Sequence, residues 1–198
     1  MLLATGMDYR IPDRPGFAGH WGGSVLHCPF CHGWENRDRP LGVLGRGGSL
    51  LLRAWSDDVT LFTDGALELS PSERERLHAA GVTIEDRPVA AVHGQDGALT
   101  HVELDDGSLR ECQGLLVPVA LHQRGDLAAQ LGAVAAPAGP VAADALDVDA
   151  KFSTGVAGLS AAGDVSSQVP SVPGAVAAGQ HAAAMQVVSL MTDDGVTR

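Results

Sequence analysis

Short apolar runs bounded by glycine, proline or aspartate recur along this chain, and their lengths separate strands from helices. Leu41-Gly42-Val43-Leu44 and Asp58-Val59-Thr60-Leu61-Phe62 predict buried strands. Between them Gly45, Gly47 and Gly48 open a short helical run to about Trp55, so the order is that of a βαβ unit. Ser70-Pro71-Ser72-Glu73 opens a further helix. There Ser70 can cap, Pro71 suits the first helical position and Glu73 can complete a capping box. Gly81 ends that helix, and residues 82–85 form the next strand. Apolar runs at 89–93 and 98–104 flank Gly94-Gln95-Asp96-Gly97, a hairpin signal, and Asp106-Gly107 marks a second tight turn. Residues 115–119 read as another buried strand.

The two ends of the chain are patterned differently. Residues 1–20 predict one short strand and then a loop, since Pro12, Pro15, Gly16 and Gly19 interrupt any regular element. Residues 133–143 are rich in alanine, proline and glycine and read as loop. Residues 155–162 predict an apolar strand ending in Gly163-Asp164, and a helix of mostly small residues runs from Pro173 to about Met191. Its small face allows close approach to a sheet or a ligand.

Composition narrows the partners. Hydrophobic residues are 45% of the 198, enough for a core, but aromatics are only 4%, so aliphatic side chains must do most of the packing. A net charge of −11 argues against nucleic acid and anionic membrane surfaces, which call for basic patches. No apolar stretch is long enough to span a membrane, and the first residues, from Met1 to Asp8, lack the features of a signal peptide. With three cysteines, an odd number, this predicts a reducing, cytoplasmic setting in which thiols are catalytic or metal-binding more often than structural.

The chemistry concentrates in His27-Cys28-Pro29-Phe30-Cys31-His32-Gly33-Trp34-Glu35. Two thiols at this spacing close a small ring on oxidation. At the start of a helix, backbone N–H groups and the dipole would lower a thiolate's pKa, and His27 or His32 could move the proton. Three other readings stand beside the redox one. Cys-x-x-Cys-His is also the c-type haem attachment pattern, which would make His32 an axial ligand. Cys28, Cys31 and a histidine would make three ligands of a zinc site whose fourth is not evident. Both cysteines could also be inert core residues. Cys112, alone in a strand-rich region, reads as a core or edge thiol.

Three ordered motifs carry a family resemblance. Leu3-Ala4-Thr5-Gly6 with Pro12, Pro15 and Gly16 resembles the segment that leaves the flavin domain of thioredoxin reductases, the Cys-x-x-Cys follows, and Ala161-Ala162-Gly163-Asp164-Val165 resembles the second flavin signature. The chain is thus similar to thioredoxin-reductase-like, FAD-dependent pyridine nucleotide-disulfide oxidoreductases, and its Cys-Pro-x-Cys-His-Gly-Trp-Glu form to a branch that includes oxidases of small dithiols. The resemblance implies an α/β fold: a Rossmann-like, three-layer inserted domain at 20–117 carrying the thiols, an exit segment of a flavin-type domain at 1–19, and the C-terminal part of that domain at 118–198.

For chemistry, the resemblance implies that Cys28 exchanges with substrate, Cys31 faces a flavin, and His32 manages the proton. Gly163, Asp164 and Val165 would contact FAD, with the helix start at Pro173, Gly174 and Ala175 aimed at its ring. Implied partners are a thioredoxin-like protein or a small dithiol, within a homodimer, and no metal. The first glycine-rich strand–turn–helix, which grips the ADP half of FAD in the family, would precede residue 1. A flavin-free relative acting as a binding module, partner subunit or remnant is the alternative expectation, and a small zinc module a third.

Gly45 and Gly47 supply only two of the fingerprint glycines of a dinucleotide turn, with Leu50 at the third small position. Asp64, at the end of the next strand, is the candidate to bond a ribose hydroxyl, which would favour NAD(H) over NADP(H), or else it simply opens the Asp64-Gly65 turn.

Overall fold

The structure, a computed structural model, describes residues 1–45 and 47–193, leaving out the side chain of residue 193, so Arg46 of the glycine-rich turn lies outside the described residues. In chain order the elements are β1 (Leu2–Leu3), β2 (Met7–Arg10), α1 (Phe17–His20), β3 (Val25–Leu26), α2 (Pro29–His32), β4 (Leu41–Leu44), α3 (Ser49–Leu52) and β5 (Val59–Phe62). They continue with α4 (Pro71–Ala79), β6 (Val82–Glu85), β7 (Val89–Gln95), β8 (Ala98–Leu104), β9 (Leu109–Glu111) and β10 (Gly114–Leu116). The chain ends with β11 (Ala120–Gln123), α5 (Leu127–Gln130), β12 (Ser160–Ala161), a 3-10 turn at Asp164–Ser166, and α6 (Val172–Asp193). Two compact units emerge, one of Ile11–Val119 and one of Met1–Arg10 with the chain from Ala120 onward.

In the unit of Ile11–Val119 a five-stranded parallel sheet runs β3-β10-β4-β5-β6, and β7-β8-β9 form an antiparallel meander. The parallel sheet is covered on both faces, which is why β4 is buried at every position. Successive residues serve opposite faces: Val43, Leu61 and Leu116 join the cluster with Leu52 and Leu77, while Leu44, Phe62 and Leu115 join the one with Val102 and Leu104 of the meander. A Cβ on Gly42 would lie 2.8 Å from the Phe62 ring, so glycine in mid-strand makes room for that ring.

The predicted signals for this unit are realised with small shifts. Ser70 and Glu73 form the reciprocal capping box, with the Ser70 amide donating to Glu73 Oε2 at 2.8 Å. The hairpin strand extends to Gln95, leaving Asp96 and Gly97 as a two-residue turn with φ of 53° and 80°, as a type I′ turn requires. The helix after the glycine turn stops at Leu52, short of the expected Trp55, because the chain closes into turns there, with the Ser56 amide donating to Leu52 O.

The two ends of the chain depart further from expectation. Residues 1–20 hold two strands and the short α1, where one strand and a loop were expected. The second strand, β2, exists because β11 pairs with it antiparallel from 110 residues downstream, Arg10 opposite Ala120. Only Ser160 and Ala161 of the expected 155–162 strand are extended, paired parallel with β1. Gly155 and Gly158, at φ of 79° and 72°, put turns in the rest. α6 spans 22 residues as patterned, and among the described residues no helix is long and apolar enough to cross a membrane.

Glu85 ties the parallel sheet to the meander. Its carboxylate accepts from Arg87 Nη2 at 2.6 Å and Nε at 2.8 Å, and from Arg110 Nε at 2.9 Å. The Arg87 hydrogen bonds, with those of Arg110, outweigh the cost of burial and draw its pKa down to about 2. A depressed carboxyl stabilises the fold above its unfolded pKa and loses that effect as pH falls through the folded one. Glu85→Gln is therefore expected to cost about 2 kcal/mol in urea unfolding at pH 7. The gap to wild type should stay full above pH 4.5 and close toward pH 2, and a pH-independent gap would contradict the assignment.

Candidate active site

The dithiol segment leaves the carboxyl end of β3. Cys28 is extended (φ −131°, ψ 111°) and caps α2, Pro29 takes the first helical position, and the Cys31 and His32 amides both donate to Cys28 O. Several contacts fix this single turn. The Gly33 amide donates to Pro29 O at 2.7 Å, and buried Asn36 donates its Nδ2 to His32 O at 2.9 Å. Arg37 lies 3.9 Å over the Trp34 ring. Cys28 is half-buried and Cys31 exposed, between Phe30 at 78% and Trp34 at 62% exposure.

The electrostatics differ from the expected lowering of a thiolate pKa. The Cys31 thiol is pushed up to about 11, first by its hydrogen bond with Cys28, then by desolvation and the charge of Cys28. A helix of four residues has little dipole to oppose this, and Cys31 stands in its second half. His27, at 5.7 Å from the Trp21 ring, is pulled below its ordinary pKa by burial and by His32. His32 Nδ1 is buried and has no hydrogen-bond partner among the described residues. Cys112 is a core thiol, donating to Gly114 O and pushed up to about 12 by burial. Among the described residues no three His, Cys, Asp or Glu side chains are grouped to hold a metal.

His27 and Pro29 share a cleft of about 250 Å³ with Gly47, Gly48 and the stretch from Leu116 to Pro118. It lies at the carboxyl ends of β3, β4 and β10, where parallel α/β sheets bind ligands. Gly45, Gly47 and Gly48 all have positive φ, and a Cβ on Gly48 would meet Leu116 at 2.5 Å. Asp64 is bound at both oxygens by Arg14 and also accepts the Val89 amide at 2.9 Å, so it is an internal brace of this unit. Burial opposes its ionisation, but these bonds outweigh burial and hold its carboxyl below the usual range. The neighbouring space of about 200 Å³ is lined by six leucines, Leu50 among them, together with Gly47, Gly48, Ser49, Glu73 and Arg76.

In the other unit, Gly163 follows β12 at φ 84°, ψ −155°, a conformation open only to glycine. Gly163, Asp164, Gly174 and Ala175 line one cleft of about 130 Å³, Val165 is buried, and Pro173 is exposed in the first turn of α6. The Asp164 carboxylate makes no hydrogen bond or ion pair among the described residues. The half-buried Asp164 carboxylate, with the hydroxyls of Ser166, Ser167 and Ser171, gives this cleft the polar groups that a flavin's polyol chain would bond. Phe152, Ser166, Ser167 and Ser171 line the same cleft and were not singled out in the sequence. The serines follow Asp164 closely and could have been noticed, whereas nothing local marked Phe152.

A family model described as Pyridine nucleotide-disulphide oxidoreductase matches residues 1–179. Thioredoxin reductase tcpT of Claviceps purpurea is 32% identical over 209 residues, which cover 98% of this chain and 63% of that one. The crystal structure of HlmI superposes with a TM-score of 0.86 at 34% identity, covering 99% of this chain and 61% of its own. The putative thioredoxin reductase TrxB from Bacillus anthracis gives 0.86 at 26% identity, covering 98% and 65%. The chain thus spans less than two thirds of the length of each of these relatives.

The raised Cys31 pKa makes an exposed thiol unreactive. Iodoacetamide at pH 7 should alkylate Cys31 slowly, with the rate climbing toward pH 11, as read by peptide mass spectrometry. Alkylation at pH 7 at the rate of an ordinary exposed thiol would contradict the raised pKa.

Proposed function

Since the chain belongs to the pyridine nucleotide-disulphide oxidoreductase family, we propose that it is a thioredoxin-reductase-like dithiol–disulfide oxidoreductase working through Cys28 and Cys31. The observation that carries this reading is the placement of two free cysteines, Cys28 capping and Cys31 within the single turn of α2, where the chain leaves the parallel sheet beside the cleft lined by His27 and Pro29. In the oxidised protein a substrate thiolate attacks Cys28 Sγ, the Cys28/Cys31 bond breaks, and Cys31 leaves as a thiolate. Cys31 takes up a proton after it is released, and His32, the next residue, is the proton carrier in this reading. The second substrate thiol then attacks the substrate sulfur of the mixed disulfide. Cys28 is released, the substrate leaves as a disulfide, and the protein holds two reduced thiols. In reverse, the same steps reduce a disulfide such as that of a thioredoxin-like protein.

FAD, held through Gly163, Asp164 and the start of α6, would supply the acceptor or donor of that electron pair. The unit of Ile11–Val119 then corresponds to the nucleotide-domain-like insertion, and the other unit to the flavin-type domain. Exposed Phe30 and Trp34 give an incoming dithiol, small or borne on a protein, an apolar surface beside Cys31. A cytoplasmic homodimer completes the proposal.

The test is exchange between the purified chain and a small dithiol, followed by quantifying free thiols. Cys28→Ser and Cys31→Ser should each reduce net disulfide formation to background, and activity retained in both variants would remove the site.

A further inference from the structure

Phe152 holds an expensive conformation. Its φ is 63°, in the left-handed region, where a bulky side chain is strained and glycine is not. Neighbouring hydrogen bonds impose that backbone. Its amide donates to Asp149 O at 2.9 Å, and its carbonyl accepts from the Ala161 amide at 3.0 Å. On either side, Asp149 Oδ1 takes the amides of Lys151 at 2.8 Å and Ser153 at 2.9 Å. The ring is fixed as well, edge-on to His181 of α6 with centroids 5.5 Å apart at 70°.

This strained ring lines the same cleft as the unpartnered carboxylate of Asp164. The cleft, about 130 Å³, has room for roughly four waters' volume. A space that size, with an aromatic surface and a free anionic acceptor, suits a short polyol, whose C–H groups lie on the ring while a hydroxyl donates to the carboxylate. Strain of this kind persists where the side chain it presents is used. We propose that Phe152 is a ligand-contacting residue, the aromatic wall against which the polyol chain of a flavin lies at Asp164, with His181 as its positioning residue. This rests on the reading that a flavin binds at Asp164.

The experiment titrates FMN fluorescence with the purified full chain and records a thermal midpoint for each variant. Wild type and Phe152→Tyr should bind FMN alike, and Phe152→Gly should bind it about tenfold more weakly. The thermal midpoint of Phe152→Gly, in which relief of the backbone opposes loss of the ring contact with His181, shows whether that variant is folded. Phe152→Asn, which also tolerates the left-handed region, carries the same expectation for FMN should the glycine variant fold poorly. Unchanged FMN affinity in the variants without a ring would mark a packing residue and overturn the proposal, and so would a wild-type chain that takes up no FMN. Dithiol exchange at Cys28 and Cys31 is measured without flavin, so failure of FMN binding and failure of the dithiol reading are distinguishable.

Discussion

Gly33 lets the dithiol turn sit where it does. A Cβ there would lie 2.3 Å from the Pro29 carbonyl oxygen and 2.5 Å from the Trp55 ring, so the turn and the segment after the glycine-rich helix can meet only without a side chain between them. The same two segments are joined by the Asp38 amide donating to Trp55 O at 2.9 Å and by Ser56 Oγ donating to Arg39 O at 2.5 Å. The rest of the site follows from that close approach. Cys28 is held at the mouth of the strand ends, His27 and Pro29 face the glycine turn, and Asn36 is buried where it can bind the His32 carbonyl.

Within that frame the immediate neighbours decide the thiol chemistry. One turn of helix offers a weak dipole, whereas Cys28 beside it and desolvation raise the Cys31 pKa. The glycine turn beside it keeps the backbone of a nucleotide-binding turn but commits its acid to Arg14, which makes Asp64 a brace between the turn after β5 and Val89.

Much of this was legible because it is local. The capping box at Ser70 and Glu73, the Asp96-Gly97 turn and the buried β4 and β5 each follow from neighbours within a few residues. The same holds for the turn started by Cys28 and Pro29. What was not legible depends on distant partners. β2 needs β11, Asp64 needs Arg14 fifty positions away, and Phe152 is forced left-handed by amides on both sides and by Ala161. The three aligned motifs pointed to the family before any geometry did, and the family model, tcpT and the superposed structures agree with them.

The proposed chemistry stands on Cys28 being the sulfur that meets substrate. Trapping the mixed disulfide tests that most directly: each single-cysteine variant, Cys31→Ser and Cys28→Ser, is mixed with an activated disulfide probe, and the adduct is located by peptide mass spectrometry. Faster adduct formation is expected on Cys28 in the first variant than on Cys31 in the second, even though Cys28→Ser removes the main cause of the raised Cys31 pKa. Preferential capture by Cys31, or equal capture by both, would contradict that division of roles.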